Sequence, residues 1–494
     1  MLSWFILAPL AGVILLNLPL ADALRKRAFV LAVLLAAAQA AVVLFAPQAR
    51  LMQAGAADDL LRMDLQLTRL GMVMLLSIGV SLFAAALVGM ATVSAADEPR
   101  RPARFASLLL LAMAAMNGAV LVKDLFSLYV FIEVTSVASF VMIAFHRQAK
   151  ALEGAFKYVL MSAIATVLML SAVGLLLMVA GKTSFAGVAE ALRAGPNVVI
   201  ARIAIGAFLC GLFIKGGLVP FHGWVLGAYS AAPSAASVML AGIGTKVSGV
   251  YGLVRLAQEV FPHSDGLTNV LMLVGAISIA VGALAALGQK DMKRMLAYSS
   301  ISQVGYIILA LGCAVMAIDP ADPKAPVLQA AADLALVAAV FHLFNHCVFK
   351  SLLFVNSAAL EQQLGTTDMG RMGGLGSRMP ITGVTCLIGS LSTAGIPPFS
   401  GFWSKVLIVV ALWKAGFTFY AGFAVALSLF TLGYFLVLQR KVFFGKLADT
   451  LSTIREAGWE LTLPAVVLAG VTSGMGVMIP LLMNTFLLPI PSVL

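Results

Sequence analysis

Long apolar stretches recur along the whole chain, and they constrain its fold more than any other feature. A run of about 18 or more such residues can cross the hydrocarbon core of a bilayer as a helix. Fourteen runs lie near residues 2–20, 28–46, 70–93, 105–122, 125–145, 158–181, 200–219, 234–257, 268–288, 295–318, 331–359, 380–412, 417–438 and 462–488. With 62% hydrophobic and 11% charged residues, the composition is unlike that of soluble domains. The sequence therefore predicts an all-α polytopic membrane protein with about fourteen transmembrane helices.

Positive charge is distributed unevenly over the thirteen predicted connections between these helices. The odd-numbered connections hold eighteen Lys and Arg residues, and the even-numbered connections hold ten. Because cytoplasmic loops carry the excess of these residues, the odd connections are predicted to be cytoplasmic and both termini to lie on the outer side. We expect a protein of a bacterial or archaeal plasma membrane, whose net charge of +11 reflects topology rather than nucleic-acid binding.

The predicted membrane interior holds four lysines and no arginine: Lys215, Lys246, Lys350 and Lys405. A charge at bilayer depth costs at least ~2.5–3.5 kcal/mol, so each lysine should face protein or water and have a function. Buried lysine can lose its proton, whereas arginine effectively never does. The selection of lysine therefore favours proton or cation handling over structural anchoring.

The seventh and twelfth predicted spans each contain a helix break. Gly217-Leu-Val-Pro-Phe-His-Gly-Trp224 follows Lys215, and Gly395-Ile-Pro-Pro-Phe-Ser-Gly-Phe-Trp403 precedes Lys405. Proline interrupts a helix and leaves backbone groups that must bind water or side chains. We expect Lys405 to be an exit site and His222 to orient water or helix ends at the first break.

The two breaks belong to an internal repeat. Phe156-Lys157 at the opening of the sixth helix and Phe349-Lys350 within the eleventh each precede a break, and two matched pairs in the same order favour a duplication. An offset of five helices gives the two copies opposite orientations in the membrane. The predicted domains are an N-terminal three-helix segment at 1–104, inverted repeats at 105–260 and 261–445, and a C-terminal loop and helix at 446–494. Chance similarity between segments rich in Gly, Pro and Phe is the alternative.

Glu133 is the one acidic residue placed well inside a predicted span, and it needs a partner. Lys215 is the natural candidate, because an unpaired buried charge costs ~3–5 kcal/mol. The pair is either a structural salt bridge or a switch that holds a proton on Lys215 when closed and releases it when open. Lys246, which follows Ala241-Gly-Ile-Gly-Thr, is either the next relay site or a lysine that extends to the membrane interface.

His342, His346 and Lys350 are spaced four residues apart and therefore share one helix face. Neutral imidazole both accepts and donates a hydrogen bond, which suits a proton relay. Structural histidines are one alternative, and a zinc site is another, although no nearby acid or cysteine completes it. The four cysteines are scattered singly through apolar segments and indicate neither a zinc site nor an iron–sulfur cluster.

Five motifs together resemble the antiporter-like subunits of respiratory complex I, a family shared with Mrp-type Na+/H+ antiporters and membrane-bound energy-converting hydrogenases. They are Asp124-Leu-Phe-x-Leu-Tyr-Val-Phe-x-Glu133, Lys215-Gly-Gly-x-x-Pro-Phe-His-Gly-Trp224, Ala232-Pro-Ser-Ala-Ala-Ser237, the segment Asp291 to Tyr306, and Gly395-Ile-Pro-Pro-Phe-Ser-Gly-Phe-Trp-Ser-Lys405. The resemblance implies two inverted half-channels and a polar axis through Glu133, Lys215, Lys246, His342 with His346, and Lys405. Lys157, His222 and Lys350 are expected to be accessory. This chain departs from the family after Trp224, where it lacks a proline and has Tyr229 in place of a histidine.

The leading hypothesis is a proton-translocating membrane subunit of a multisubunit complex, coupled to electron transfer between NADH and quinone or a related redox pair. We expect no cofactor on this chain, so an enzyme name such as NADH:quinone oxidoreductase belongs to the complex. The expected partners are other membrane subunits, the lipid bilayer, and protons or Na+. A subunit of an Mrp-type Na+/H+ antiporter is the alternative, and a stand-alone secondary solute transporter is a third hypothesis.

Overall fold

The computed structural model describes residues 2–18, 27–46, 64–93, 100–195 and 198–482. Every predicted span coincides with one helix or with a broken pair of helices. They are α1 (Trp4–Asn17), α2 (Ala28–Phe45), α3 (Arg69–Thr92), α4 (Arg101–Leu121), α5 (Leu125–Ile143), α6 (Ala149–Ala180), α7a (Val198–Gly216), α7b (Gly223–Ala231), α8 (Ser234–Glu259), α9 (Asp265–Leu287), α10 (Met292–Ala314), α11 (Ala325–Leu364), α12a (Pro380–Ala394), α12b (Ser400–Lys414), α13 (Thr418–Val442) and α14 (Trp459–Val477). A short helix, Phe185–Ala194, lies between α6 and α7a.

Within the described ranges, twelve helices are long and apolar enough to cross a membrane. The two remaining predicted spans are α1, with 14 residues, and the twelfth, which is divided into halves of 15 residues each. The all-α membrane fold predicted from the sequence is confirmed. Arg25, Lys26, the connection at 47–63 and the last residues, 483–494, lie outside the described residues.

Both predicted helix breaks are present, and both depend on glycine and proline. α7a ends at Gly216, and Gly217 then adopts a φ of +69°; α12a ends at Ala394, and Gly395 adopts a φ of +84°. Residues other than glycine rarely adopt this left-handed backbone conformation. Since the following prolines cannot donate a backbone hydrogen bond, the chain restarts as a new helix.

Equivalent loop contacts relate helices that are five apart. Asp124, before α5, pairs through its backbone with Ser184 after α6, and Asp291, before α10, pairs with Asp368 after α11. Asp124 and Asp291 each also accept a hydrogen bond from a backbone N–H in the first turn of the helix that follows, at 2.8 Å in both cases. These matched contacts support the proposal of two inverted repeats at 105–260 and 261–445.

The two Phe-Lys pairs, by contrast, lie at different distances from the C-terminal ends of their helices. Gly181 follows the end of α6 and Gly365 follows the end of α11, with φ values of +66° and +67°. Lys157 lies 24 residues before the first glycine (181 − 157) and Lys350 lies 15 before the second (365 − 350). The nine-residue difference is about 14 Å along a helix. The pairs are therefore not equivalent positions, and the repeat rests on the breaks and the loop contacts.

The middle of the fold is formed by α8 and α10, which the other helices enclose almost completely. In α8, Leu240–Gly244 and Lys246–Tyr251 are π-helical, which widens the helix on both sides of Thr245. π-Helical turns inside α-helices are frequent at functional sites. They occur here around one of the four predicted membrane lysines.

Candidate proton-transfer axis

Glu133 and Lys215 lie side by side between α5 and α7a, as the sequence predicts. Lys215 Nζ is 2.8 Å from Glu133 Oε1. The lysine is 1% exposed, whereas 22% of the glutamate side chain is exposed. While the two side chains are in contact, the carboxylate stabilises the ammonium form, which has almost no access to solvent.

Two hydroxyl groups complete the surroundings of Lys215. Its ammonium donates to Ser136 Oγ on α5 at 2.9 Å and to Ser162 Oγ on α6 at 2.7 Å. Lys215 reaches both because it lies in the last turn of α7a, immediately before the break. Trp224 Nε1 donates to Ile214 O at 3.0 Å across the break and satisfies a carbonyl near the helix end. The amine therefore keeps polar partners if Glu133 moves away.

Lys246 is fully buried in the π-helical part of α8. Its Nζ donates to Ala241 O at 2.5 Å and to Thr245 Oγ1 at 3.1 Å. Thr245 Oγ1 is also 2.7 Å from the hydroxyl of Tyr229 on α7b. Tyr229, the residue that departs from the resembling family, thus contributes the phenol at the end of a short hydrogen-bonded chain to Lys246. Complete burial contradicts the alternative of a lysine that extends to the membrane interface.

The polar stripe on α11 is entirely buried. His342 Nδ1 is 2.8 Å from Ser404 Oγ on α12b. Neither ring nitrogen of His346 has a hydrogen-bond partner among the described residues. His342 Nε2 likewise has no partner among the described residues. Buried polar atoms normally have one, so both histidines have spare hydrogen-bonding capacity, and His346 has it on both ring nitrogens.

Lys350, placed among the accessory residues from the sequence, is as deeply buried as the histidines. Its Nζ donates to Ser299 Oγ at 2.7 Å and to Leu296 O at 3.3 Å on α10. The hydroxyl of Tyr434 lies 2.7 Å from the same serine oxygen. A serine and a tyrosine therefore join Lys350 to α13.

Lys405 has backbone carbonyls in place of a carboxylate. Its Nζ donates to Thr393 O at 2.9 Å, Ala394 O at 3.4 Å and Ser428 Oγ at 3.1 Å, and it lies 4.8 Å from the ring centre of Tyr306. The two carbonyls are at the C-terminal end of α12a, where the helix dipole is negative. Lys215 lies before its break and Lys405 lies after its own, so the two lysines occupy opposite halves of their broken helices.

Lys157 and His222 lie apart from these buried groups. The Lys157 side chain is 53% exposed and pairs with Glu153 at 2.5 Å, one turn earlier on α6. His222 is partly exposed at the start of α7b, and its ring centre is 6.5 Å from that of Tyr298. The structure therefore gives Lys157 no place in the buried axis and keeps His222 beside the first break.

One arginine is buried within the protein, close to the ends of α8 and α4. Arg255 is fully buried in the last turns of α8, where its Nε lies 2.9 Å from Glu259 and its Nη1 donates to Val120 O at 3.0 Å. The charge count from the sequence placed Arg255 with the residues at helix ends, and it does lie four residues before the end of α8. With its guanidinium bonded to a carboxylate and a carbonyl, Arg255 anchors α8 to α4.

The family model described as NADH:quinone oxidoreductase/Mrp antiporter, TM, matches residues 122–321 and 327–431, more than half of the chain. The chain belongs to this family. The matched residues include every predicted relay residue from Glu133 to Lys405. The resemblance inferred from the five motifs is thereby confirmed.

The relatives that are similar to this chain include both antiporter subunits and NADH-quinone oxidoreductase subunits. An Na(+)/H(+) antiporter subunit from Alkalihalophilus pseudofirmus is 31% identical over 365 residues, 74% of this chain and 70% of the relative. An NADH-quinone oxidoreductase subunit from Desulforudis audaxviator is 32% identical over 340 residues, 68% of this chain and 64% of the relative. A solved structure of an Mrp complex from Dietzia sp. shares the fold over 100% of this chain and 97% of its own, with a TM-score of 0.84 and 24% identity.

In this family member, the buried groups from Lys246 to Lys405 interact electrostatically with one another. His346 lies within electrostatic range of Lys246 and Lys350, and His342 lies within range of Lys405. Amine, imidazole and hydroxyl groups can each donate and accept hydrogen bonds in one of their protonation states. No group of three or more His, Cys, Asp and Glu side chains in the described part of the chain is placed to hold a metal ion. The arrangement suits proton transfer through the protein.

Several participants could not be selected from the sequence. Ser136, Ser162 and Ser404 contact the relay groups directly, but isolated serines are common in membrane helices and carry no distinctive pattern. Tyr229 did have a signal, because it stands where the resembling family has a histidine.

Proposed function

We propose that this chain moves protons across the membrane as one subunit of a multisubunit complex, through the axis Glu133, Lys215, Lys246, His342 with His346, and Lys405. The observation that carries the proposal is the pair of Glu133 and Lys215 at 2.8 Å, with two serine hydroxyls on the same ammonium. The carboxylate and the two hydroxyls together satisfy the three N–H groups of the ammonium, and the hydroxyls remain beside the lysine when the carboxylate moves away.

The first step is the opening of this pair. When Glu133 is in contact, its charge keeps Lys215 protonated. When Glu133 turns toward its exposed side, the ammonium has only neutral partners in a buried site, and the neutral amine becomes favoured. The proton then leaves through Ser136 or Ser162, whose hydroxyls can accept and donate.

The later groups have separate roles in the proposal. Lys246 is the intermediate carrier, positioned by Thr245 and Tyr229. The histidines pass the proton along α11, with Lys350 as an accessory charge beside them. Lys405 is the exit group, because the carbonyl end of α12a stabilises its protonated form without holding it through a carboxylate.

The driving force is proposed to come from neighbouring subunits that transfer electrons between NADH and quinone or a related redox pair. This proposal assigns no cofactor to the chain, and it places the chain in a plasma membrane with both termini outside. A cation/proton antiporter is the second candidate. It is favoured by the similarity to the Na(+)/H(+) antiporter subunit from Alkalihalophilus pseudofirmus, which spans 74% of this chain.

The test uses the intact complex reconstituted in vesicles, with acidification followed by a pH-sensitive dye. Lys215→Ala should abolish proton movement while the complex still assembles. Lys157→Ala is the matched control, because it removes an exposed lysine from the neighbouring helix and should leave the flux unchanged. Normal proton flux with Lys215→Ala would refute the proposal.

The two driving reactions are separated by identifying the subunits that copurify and by the requirements for flux. Redox coupling predicts flux that needs an electron donor and acceptor. An antiporter predicts flux that needs only a Na+ or proton gradient.

A further inference from the structure

One face of α6 packs along both halves of the broken helix α7. Ser162, which accepts a hydrogen bond from Lys215, is preceded at four-residue intervals by Tyr158 and Gly154. Residues four apart are neighbours on one face of a helix. Gly154 touches the backbone of α7b, since a Cβ atom there would lie 2.8 Å from Gly227 O. Tyr158 therefore stands between this close backbone contact and the serine that binds Lys215.

An aromatic stack holds the ring of Tyr158 in place. The ring lies almost parallel to that of Trp224 on α7b, with 4.3 Å between the ring centres and an angle of 8° between the planes. Both residues are buried, and the indole N–H of Trp224 donates to Ile214 O at 3.0 Å. Two contacts thus orient the indole, and the indole orients the phenol. The stack thereby fixes the direction in which the Tyr158 hydroxyl points.

The Tyr158 hydroxyl points toward α5. It faces the hydroxyl of Ser136 and lies within electrostatic range of Glu133. Ser136 Oγ accepts a hydrogen bond from Lys215 at 2.9 Å, and its own O–H donates to Ile132 O at 3.0 Å. A hydroxyl oxygen has two lone pairs, so Ser136 can also accept a hydrogen bond from the phenol. One hydroxyl group therefore separates Tyr158 from the amine of Lys215.

The phenol lies on the side of this site that is nearer the start of α6. Tyr158 is one turn, about 6 Å, closer to that start than Ser162. Ser139, which also faces the phenol, is one turn closer to the end of α5 than Ser136. The connection between α5 and α6 is the fifth, which the charge distribution predicts to be cytoplasmic. On this topology, a proton that comes from the cytoplasm meets Tyr158 before it meets Lys215.

We propose that Tyr158 reprotonates Lys215 from the cytoplasmic side, an inference that rests on the proposed function. In the proposed relay, Lys215 becomes a neutral amine when its proton leaves. A new proton then arrives at the phenol oxygen, the phenol's own proton moves to Ser136 Oγ, and the Ser136 proton turns from Ile132 O to the lysine nitrogen. One proton enters and one amine becomes an ammonium, so the phenol and the serine are both neutral before and after the step.

The inference gives the two serines around the lysine different roles. Ser136 lies between the phenol and the amine and serves loading, whereas Ser162 serves release toward the rest of the axis. Glu133 favours the loaded state when it is in contact, because its charge stabilises the ammonium. The movement of one carboxylate thus decides whether the amine accepts a proton through Ser136 or gives one up through Ser162.

The test measures proton flux by the intact complex in vesicles, normalised to the amount of assembled complex. Tyr158→Phe keeps the ring and its stack and removes only the hydroxyl, so it should slow flux by about 100-fold, the scale of one positioned acid–base group. Tyr158→His supplies a ring that both donates and accepts, and it should recover part of that loss. Tyr420→Phe is the matched control, because it removes a phenol hydroxyl near the start of α13 and should leave flux unchanged.

A second measurement tests whether the phenol and the serine act in one step. Ser136→Ala should slow flux as Tyr158→Phe does, and the double variant should lose no more than the more damaging single variant. Wild-type flux with Tyr158→Phe overturns the inference, as do equal losses in the Phe and His variants or multiplied losses in the double variant. If Lys215→Ala still abolishes flux in that case, the proposed function stands without this loading step. Normal flux with Lys215→Ala would instead refute the proposed function itself.

Discussion

Gly249 controls how closely the turn that carries Lys215 approaches α8, and replacing it with alanine tests the importance of that position. A Cβ atom at Gly249 would lie 2.2 Å from Gly216 N, 2.3 Å from Gly216 Cα and 2.8 Å from the carbonyl carbon of Lys215. All three are backbone atoms, so no side-chain rotation relieves the overlap. Ordinary contact begins at 3.4 Å, and the end of α7a must therefore retreat by about 1.2 Å (3.4 − 2.2).

This retreat acts directly on Lys215, the first group of the proposed relay. Lys215 bonds to Glu133, Ser136 and Ser162 at 2.7 to 2.9 Å, and a shift of about 1 Å takes at least one of these contacts beyond hydrogen-bond length. Misplacement on this scale can slow a proton-transfer site by about 100-fold. Overpacking of the helix contact should also lower stability by about 1–3 kcal/mol.

The assay is dye-monitored acidification of vesicles, normalised to the amount of assembled complex, with thermal unfolding measured in parallel. Gly206→Ala is the control on α7a, the helix that carries Lys215, because a Cβ there meets nothing within 4 Å. It should keep full flux and be neutral or stabilising by up to about 1 kcal/mol. If Gly249→Ala matches this control in flux, the close contact of α7a with α8 has no role in transfer.

Four further substitutions test three individual contacts. Glu133→Gln removes the carboxylate of the first pair, so it should slow proton flux and alter its dependence on pH; an unchanged pH profile would assign Glu133 a structural role. Ser404→Ala leaves His342 Nδ1 without its hydroxyl partner, which should cost about 1–3 kcal/mol of stability and reduce flux; full flux would place His342 outside the route. Lys293 Nζ lies 2.5 Å from Glu361 Oε2, and the lysine is buried whereas 38% of the glutamate side chain is exposed. Glu361→Ala leaves a buried charge unpaired and should destabilise the protein by about 3–5 kcal/mol, whereas Lys293→Ala leaves a partly exposed carboxylate and should cost about 1 kcal/mol or less. Equal losses in thermal unfolding would contradict this asymmetry.

The sequence predicted the helices because a bilayer imposes the same length and polarity on every span. It also predicted the pairing of Glu133 with Lys215, since a lone acid and a lone base in apolar surroundings both need a partner. These inferences rest on rules that apply at the level of single residues. They remain valid without knowledge of how the helices pack.

Contacts that depend on packing could not be predicted in this way. The π-helical segments around Lys246 depend on hydrogen bonds of the folded helix, and the burial of Arg255 depends on the position of α4. The mismatch of Lys157 and Lys350 has a similar cause. A matching dipeptide does not establish which residues of the two repeats are equivalent. The loop contacts of Asp124 and Asp291 do, because they occur at the same place in both repeats.

The central claim is that Lys215 and Lys405 act in series on one proton path. The most direct measurement compares proton flux by Lys215→Gln, Lys405→Gln and the double variant in the same reconstituted complex. A single path predicts that each substitution alone abolishes flux and that the double variant loses nothing more. Partial flux in each single variant, lost only when both lysines are replaced, would show two independent paths and contradict the account.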